Sequence, residues 1–386
     1  GSQIIELQKK ESVESQAEAS MVVVRDSLVG RFSPFKTPFG TKPLVYADWT
    51  ATGRPIQAIE DYIGQNVLPL YGNTHTATSV TGHQSTCFRH EARQTIAEGL
   101  NAKITGRAAE DVVLFCGSGA TSAIQTFVRV LGLHLPLPPG APPAARPVVL
   151  VGPWEHHANL LPYREGCAEV WTAREAPGPR GGADLGHLEA LLRRARRERR
   201  PLVLGAFSAA SNVTGHLADV DAVTALLHRY GALSAWDYAT AAPYVKVDMN
   251  PVVPGPDAAL VYKDAVFLSG HKFPGGPGTP GVLCVKKRVL SNAVPTAPAG
   301  GTVFYVTDRG HRYVSNREER EEGGTPDIVG AARLGLVFRL HAQVGKAAIH
   351  AREAALWARA RAALAQHPGV VLLGHHHRDD GDDGEG

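Results

Sequence analysis

The chain has 386 residues, 44% of them hydrophobic and 20% charged, with a formal net charge of +3. That is the composition of an ordinary soluble globular protein, long enough for two or more domains at about 150 residues each. The near-neutral balance excludes a global pull toward nucleic acid or an anionic membrane, and no apolar run approaches the ~20 residues a membrane span needs.

Residues 1–20 are polar, with Lys9-Lys10-Glu11, and lack the apolar centre of a secretory signal; Gly1-Ser2 has the form of a cloning scar. The four cysteines (Cys87, Cys116, Cys167, Cys284) are far apart and show no CxxC spacing. They read as reduced thiols of an intracellular protein, cytoplasmic or organellar. Residues 31–43, rich in Pro, Gly and aromatics, predict an extended arm.

From Leu44 short apolar runs alternate with helical stretches. Strands are predicted at Val112–Phe115, Val148–Val151, Leu202–Ala206, Leu233–Trp236, Val266–Leu268 and Val282–Val285. Helices are predicted over 120–132, 185–199 and 219–230. Strand–helix alternation with continuously apolar strands predicts an α/β fold with a mostly parallel central sheet flanked by helices. The Pro-rich residues 136–147 read as a surface linker.

Helix 185–199 ends in a basic run from Arg193 to Arg200. A nucleic-acid patch is one use for it. A solvated helix face is the better one, because Leu188, Leu191 and Leu192 supply a buried stripe and Arg complements the C-terminal end of the helix dipole. After Pro326 a helical stretch over 329–366 opens a second, smaller domain. One strand follows (Val370–Leu373), then His375-His376-His377 and an Asp/Gly-rich tail. One strand and one or two helices do not close a core, so this domain reads as incomplete. The expected layout is a polar segment and arm over 1–43, a large domain over 44–328, a partial small domain over 329–373 and a disordered tail over 374–386.

The chemistry gathers at predicted strand ends. Phe267-Leu268 ends one strand and runs into Ser269-Gly270-His271-Lys272 and then a Gly/Pro loop. A Lys held there, with a hydroxyl and an imidazole beside it, suits a Schiff-base lysine whose neighbours grip a phosphate. Asp237 follows Leu233–Trp236, where open parallel sheets bind ligands, and a buried Asp there can keep a pyridinium nitrogen protonated. Cys116-Gly117-Ser118-Gly119-Ala120-Thr121 links a strand to a helix whose N–H groups, with the Thr121 hydroxyl, make a phosphate seat. His156 and His157 follow another strand; without HExxH or cysteine partners they point to ring stacking rather than metal, and no metal site is expected. Asn212, after a fourth strand, offers a neutral hydrogen-bond donor.

In order along the chain, these pieces resemble the class V aminotransferase family of pyridoxal-phosphate enzymes, and within it the cysteine desulfurase and selenocysteine lyase branch. Tyr46-Ala47-Asp48-Trp49-Thr50-Ala51-Thr52-Gly53 is similar to the family's opening motif. Asn73-Thr74-His75, the segment from Gly82 to Arg93, the Ser118–Thr121 loop, Glu155–Asn159, Ser211–Gly215, the Asp237 strand, Ser269–Lys272 and Glu322–Asp327 follow in the family's order. The resemblance implies a fold-type I transferase with pyridoxal 5'-phosphate on Lys272. Asp237 would pair with the ring nitrogen, His156 would stack on the ring and Asn212 would contact its hydroxyl side. Ala120, Thr121, Ser269 and His271 would hold the phosphate. Thr302 would reach the partner subunit's phosphate, implying a homodimer.

Three departures bear on the reaction. Thr240 stands where many members have a Gln that contacts the ring oxygen. No cysteine follows Cys284, which reads as a strand core residue, whereas the desulfurases carry a nucleophilic Cys beyond the segment matching Glu322–Asp327. The family's substrate-carboxylate Arg lies in that same later region. The expected function is therefore desulfurase-like chemistry on a small amino acid through a Lys272 Schiff base. The alternatives are a cofactor-binding but incomplete scaffold, or another lyase or epimerase of the same fold.

Overall fold

Short runs of Val, Leu, Phe and Ala build the central sheet. The computed structural model describes residues 17–74, 78–177 and 181–372. Its main sheet has seven strands: β1 (Asp111–Cys116), β2 (Val148–Val151), β3 (Glu169–Thr172), β4 (Val203–Ser208), β5 (Leu233–Asp237), β6 (Ala265–Ser269) and β7 (Gly281–Lys286). They lie in the order β1-β7-β6-β5-β4-β2-β3. β7 alone runs against its neighbours, so the sheet is mostly parallel.

Both faces of the sheet are covered, which is why its strands are apolar without alternation. Val113, Trp236, Val266 and Leu268 pack on one side. Val112, Leu114, Phe127 and Phe267 pack on the other. Each such buried side chain contributes about 1.5–3 kcal/mol. The flanking helices start where their sequences supply caps. The Asp184 carboxylate accepts from His187 N at 3.0 Å ahead of Leu185–Arg197, and Asp219 accepts from Ala222 N at 3.1 Å ahead of Val220–Arg229. Ser79 caps the helix Val80–Gly99, which packs closely on Ile328–Val344: a Cβ on Gly335 would meet the Ala92 Cβ at 2.8 Å.

β3 was not foreseen. It is an edge strand whose sequence, Glu-Val-Trp-Thr, buries only Trp171. The basic run that ends Leu185–Arg197 finds its use here. Arg194 and Arg200 lie over the Trp171 ring at 4.1 and 5.3 Å, and Arg200 pairs with Glu169 at 2.6 Å and Glu198 at 2.7 Å. Arg193 pairs with Glu189 on its own helix, and Arg194 with Glu198 just past the helix end. These arginines serve the surface of the fold.

One other expectation is refined and one changes. The stretch 329–366 is two helices, Ile328–Val344 and Lys346–Ala365, because Gly345 sits at φ +78° in the left-handed region that breaks a helix. The first carries buried residues of the main core; the second buries none. Residues 370–372 form no strand, and Leu373 with the tail 374–386 lies outside the described residues. The arm expected at 31–43 contains a hairpin, Pro34–Thr37 against Gly40–Pro43. A second hairpin, Val303–Val306 against His311–Tyr313, exposes Phe304 and Val306. The segment 1–16 and His75 lie outside the described residues. No helix among the described residues is long and apolar enough to cross a membrane.

Candidate active site

The C-terminal ends of β4, β5 and β6 open into a cavity of about 460 Å³. Lys272 follows β6 in a short turn, Gly270–Lys272. Its Nζ donates to Thr240 Oγ1 at 3.3 Å. Burial lowers the amine's pKa below the usual lysine range, and the Asp237 charge opposes that shift. A lysine so placed carries more free amine near neutral pH than an exposed one, as a nucleophile requires.

Asp237 ends β5, in register with Phe267 of β6 and Ser208 of β4. It is 6% exposed, and its Oδ1 accepts from Ala239 N at 2.8 Å. Burial raises its pKa; the Ala239 bond, Lys272 and His156 pull the other way. His156 presents an exposed ring to the cavity while its Nδ1 accepts from Ala158 N at 3.1 Å, which fixes the ring's local rotation.

The loop after β1 forms a cradle. Gly119 opens the helix Gly119–Val130 with φ +58°, and a Cβ on it would lie 2.9 Å from Ser269 Oγ. Ala120 N donates to that hydroxyl at 2.9 Å. Gly281 crowds the loop from β7: a Cβ there would stand 1.9 Å from the Gly119 carbonyl oxygen, so only glycine permits the approach. His271 is held by Thr52, whose hydroxyl lies 3.0 Å from its Nδ1, and Gly53 N donates to the His271 carbonyl at 2.8 Å. Burial lowers the His271 pKa, and Lys272 adds to that.

Ala120, Thr121, His156, Asn212, Asp237, Thr240, Ser269, His271 and Lys272 all line this one cavity. Thr302 does not; it is fully buried with its hydroxyl donating to Ala299 O at 2.6 Å. Asp48, Thr50, Ala51 and Ser208 line the cavity without having been singled out from the sequence as site residues. Glu155 was missed too. Burial pushes its carboxyl up to about 7, against bonds from Asn159 and Ser208. Glu322 is a brace outside the cavity: Oε1 accepts from Phe115 N at 2.6 Å and Oε2 binds Arg93 at 2.6 Å. Among the described residues no group of three or more His, Cys, Asp or Glu could hold a metal ion.

The donor set has a definite chemistry. A lysine whose pKa burial lowers suits a carbonyl, a buried carboxylate suits a basic ring nitrogen, and a helix start with a serine and a histidine suits a phosphate. Strand-end placement of these groups on a mostly parallel sheet is the arrangement of fold type I, the fold of pyridoxal-phosphate-dependent transferases. An apo cysteine desulfurase from Thermococcus onnurineus superposes with a TM-score of 0.68 at 23% identity, covering 84% of this chain and 73% of that one. A cysteine desulfurase from Escherichia coli gives 0.63 at 24%, covering 84% and 74%.

The Aminotransferase class-V family matches residues 45–381, and the chain belongs to it. A cysteine desulfurase of Synechococcus elongatus is 30% identical over 336 residues, 86% of this chain and 49% of the relative. A probable cysteine desulfurase of Mycolicibacterium paratuberculosis is 29% identical over 345 residues, 89% and 46% respectively. The chain thus spans about half the length of these two relatives. A cysteine desulfurase of Dickeya dadantii is 29% identical, over 87% of this chain and 75% of the relative.

Proposed function

We propose that this chain is a pyridoxal 5'-phosphate enzyme of the cysteine desulfurase type, acting on a small amino acid with Lys272 as its Schiff-base lysine. The observation that carries the reading is the shared cavity of Lys272, Asp237 and the Ser269–Ala120 cradle. When bound, the cofactor supplies an amine-reactive carbonyl and a ring that accepts the electron pair released at the substrate's Cα.

The chain's residues divide the remaining work. Ala120 N, Thr121, Ser269 and His271 would hold the phosphate. Asp237 would keep the ring nitrogen protonated, and His156 would cover one ring face. Asn212 and Thr240 stand at the cavity wall as hydrogen-bonding groups for ring or substrate oxygens. The Lys272 amine is the base that would take the Cα proton and return it.

The test is cofactor uptake and trapping. Protein incubated with pyridoxal phosphate is expected to show a visible absorbance band. Borohydride should then fix a pyridoxyl group on the peptide containing Lys272, read by mass spectrometry. Lys272→Ala should show neither band nor adduct. A saturated wild type without an adduct at Lys272 removes the reading.

A homodimer belongs to the same proposal, with Thr302 near the neighbour's phosphate. Light scattering of the loaded protein is expected to give twice the chain mass; a stable loaded monomer excludes it. One observation favours a second reading, a cofactor-binding protein that does not complete sulfur transfer. None of the four cysteines lines the cavity.

A further inference from the structure

Glu155 stands beside the cavity with no task in the chemistry above, yet its carboxylate is the most heavily bonded group there. Oε1 accepts from Gly152 N at 3.1 Å and from Ser208 N at 3.0 Å. Oε2 accepts from Asn159 Nδ2 at 2.7 Å and from Ser208 Oγ at 2.7 Å. One side chain thereby joins three pieces of chain: the end of β2, the short turn His157–Asn159 and the end of β4.

The bond to Ser208 N has a topological reason. β2 and β4 pair from Val148↔Val203 to Val151↔Ala206, and the ladder stops there. Past that point the chain after β2 turns away, and the Glu155 carboxylate takes up the backbone donor that the ladder leaves over. The residue following Glu155 is His156. Its own hydrogen bond, from Ala158 N, is local to the turn and ties the ring to nothing on the sheet. Ala158 packs against the core beneath the turn, and the side-chain hydrogen bonds that join the turn to the end of β4 run through Glu155.

We propose that Glu155 is a positioning residue: its carboxylate locks the loop carrying His156 onto the end of β4 and so fixes the imidazole over the cavity. This rests on the reading that His156 covers a bound pyridoxal phosphate ring. Reach, rather than charge, is what the role requires, and two substitutions separate them. Glu155→Asp keeps the charge and shortens the arm, so Gly152 N, Ser208 and Asn159 cannot all be reached. Glu155→Gln keeps the reach. Its oxygen can face the two backbone N–H groups, which only donate, and its NH₂ can face Ser208 Oγ and Asn159. Asn159 accepts by turning its amide, since its Oδ1 has no partner among the described residues.

The experiment is a double-mutant cycle with His156→Ala, read by pyridoxal phosphate titration and by circular dichroism in the cofactor's visible band. E155D is expected to weaken cofactor binding about tenfold and to flatten the visible dichroism, as loss of bonds to a charged group predicts. E155Q should stay within about threefold of wild type, because its bonds survive. In the H156A background E155D should cost less than about twofold further, because its effect runs through the ring already removed. Equal losses from E155D with and without His156, or a folded E155Q that loses more than E155D, overturn the proposal. A wild type that takes up no cofactor overturns the functional reading and this inference with it; a loaded wild type with additive losses overturns the inference alone.

Discussion

Asp237→Asn is expected to slow the first chemical step about a hundred- to a thousand-fold, the loss typical of removing one preorganised electrostatic group from a site. The measurement is the single-turnover rate at which an added amino acid changes the spectrum of cofactor-loaded protein. The neutral amide cannot hold a proton on the ring nitrogen, so the ring accepts the Cα electron pair less readily. The empty protein should respond in the opposite sense. Burial raises the folded-state pKa of Asp237 above the ordinary aspartate value. A raised folded value means that the folded chain holds the proton more tightly than the unfolded one. The stability this contributes is complete below the ordinary carboxylate range and is lost as pH rises through the folded value. At neutral pH the buried carboxylate therefore opposes folding of the empty protein, and the Asn variant, which still accepts from Ala239 N, relieves that. Its apoprotein should melt no lower than wild type at pH 7 and gain least at acid pH. A variant with near-normal single-turnover rates removes Asp237 from the chemistry.

The strand ends were legible because they obey local rules. A run such as Ala-Val-Phe-Leu is continuously apolar, and the polar residues that follow it must leave the sheet where ligands bind. Lys272, Asp237 and Ser269 could be read that way. Glu155 could not. Its sequence neighbours suggest only another polar residue in a turn, and its four donors come from segments 3, 4 and 53 residues distant. β3 escaped because an edge strand needs only one buried face, and Trp171 alone supplies it. Gly345 was visible as a glycine, but an Ala- and Arg-rich flank reads as helix on both sides, and only the backbone angle shows the break. Val370-Val371-Leu372 illustrates the converse. Its β-branched composition favours a strand, but a strand exists only where another lies beside it.

Incubated with cysteine, the cofactor-loaded 386-residue chain is expected to change its spectrum without steady formation of alanine and of persulfide sulfur, which a reductant in the assay would release as sulfide. The steps up to the Cα carbanion need Lys272, Asp237 and their neighbours, which share one cavity. Removing sulfur also needs a thiolate that can reach the substrate, since the thiol form is a poor nucleophile. Cys116 borders the cradle, but burial pushes its thiol up to about 12, and its Sγ faces inward to Leu114 O at 3.9 Å. Cys284 is buried in the middle of β7, and burial raises its pKa well above the thiol range. Cys87 lies on Val80–Gly99 with its sulfur 3.7 Å from His83 Nε2, and Cys167 precedes β3 at the far edge of the sheet. None of the four lines the cavity. Sulfide assay and alanine quantification over many cofactor equivalents decide the matter. Alanine formation that persists in a Cys87→Ser/Cys116→Ser double variant would refute this argument and point to another thiol, whereas sulfide released with pyruvate in place of alanine would point to direct elimination from the substrate. Turnover restored only when a low-pKa thiol is supplied in solution would place the missing group as a nucleophile rather than a base, because the Cα chemistry would then have been intact throughout.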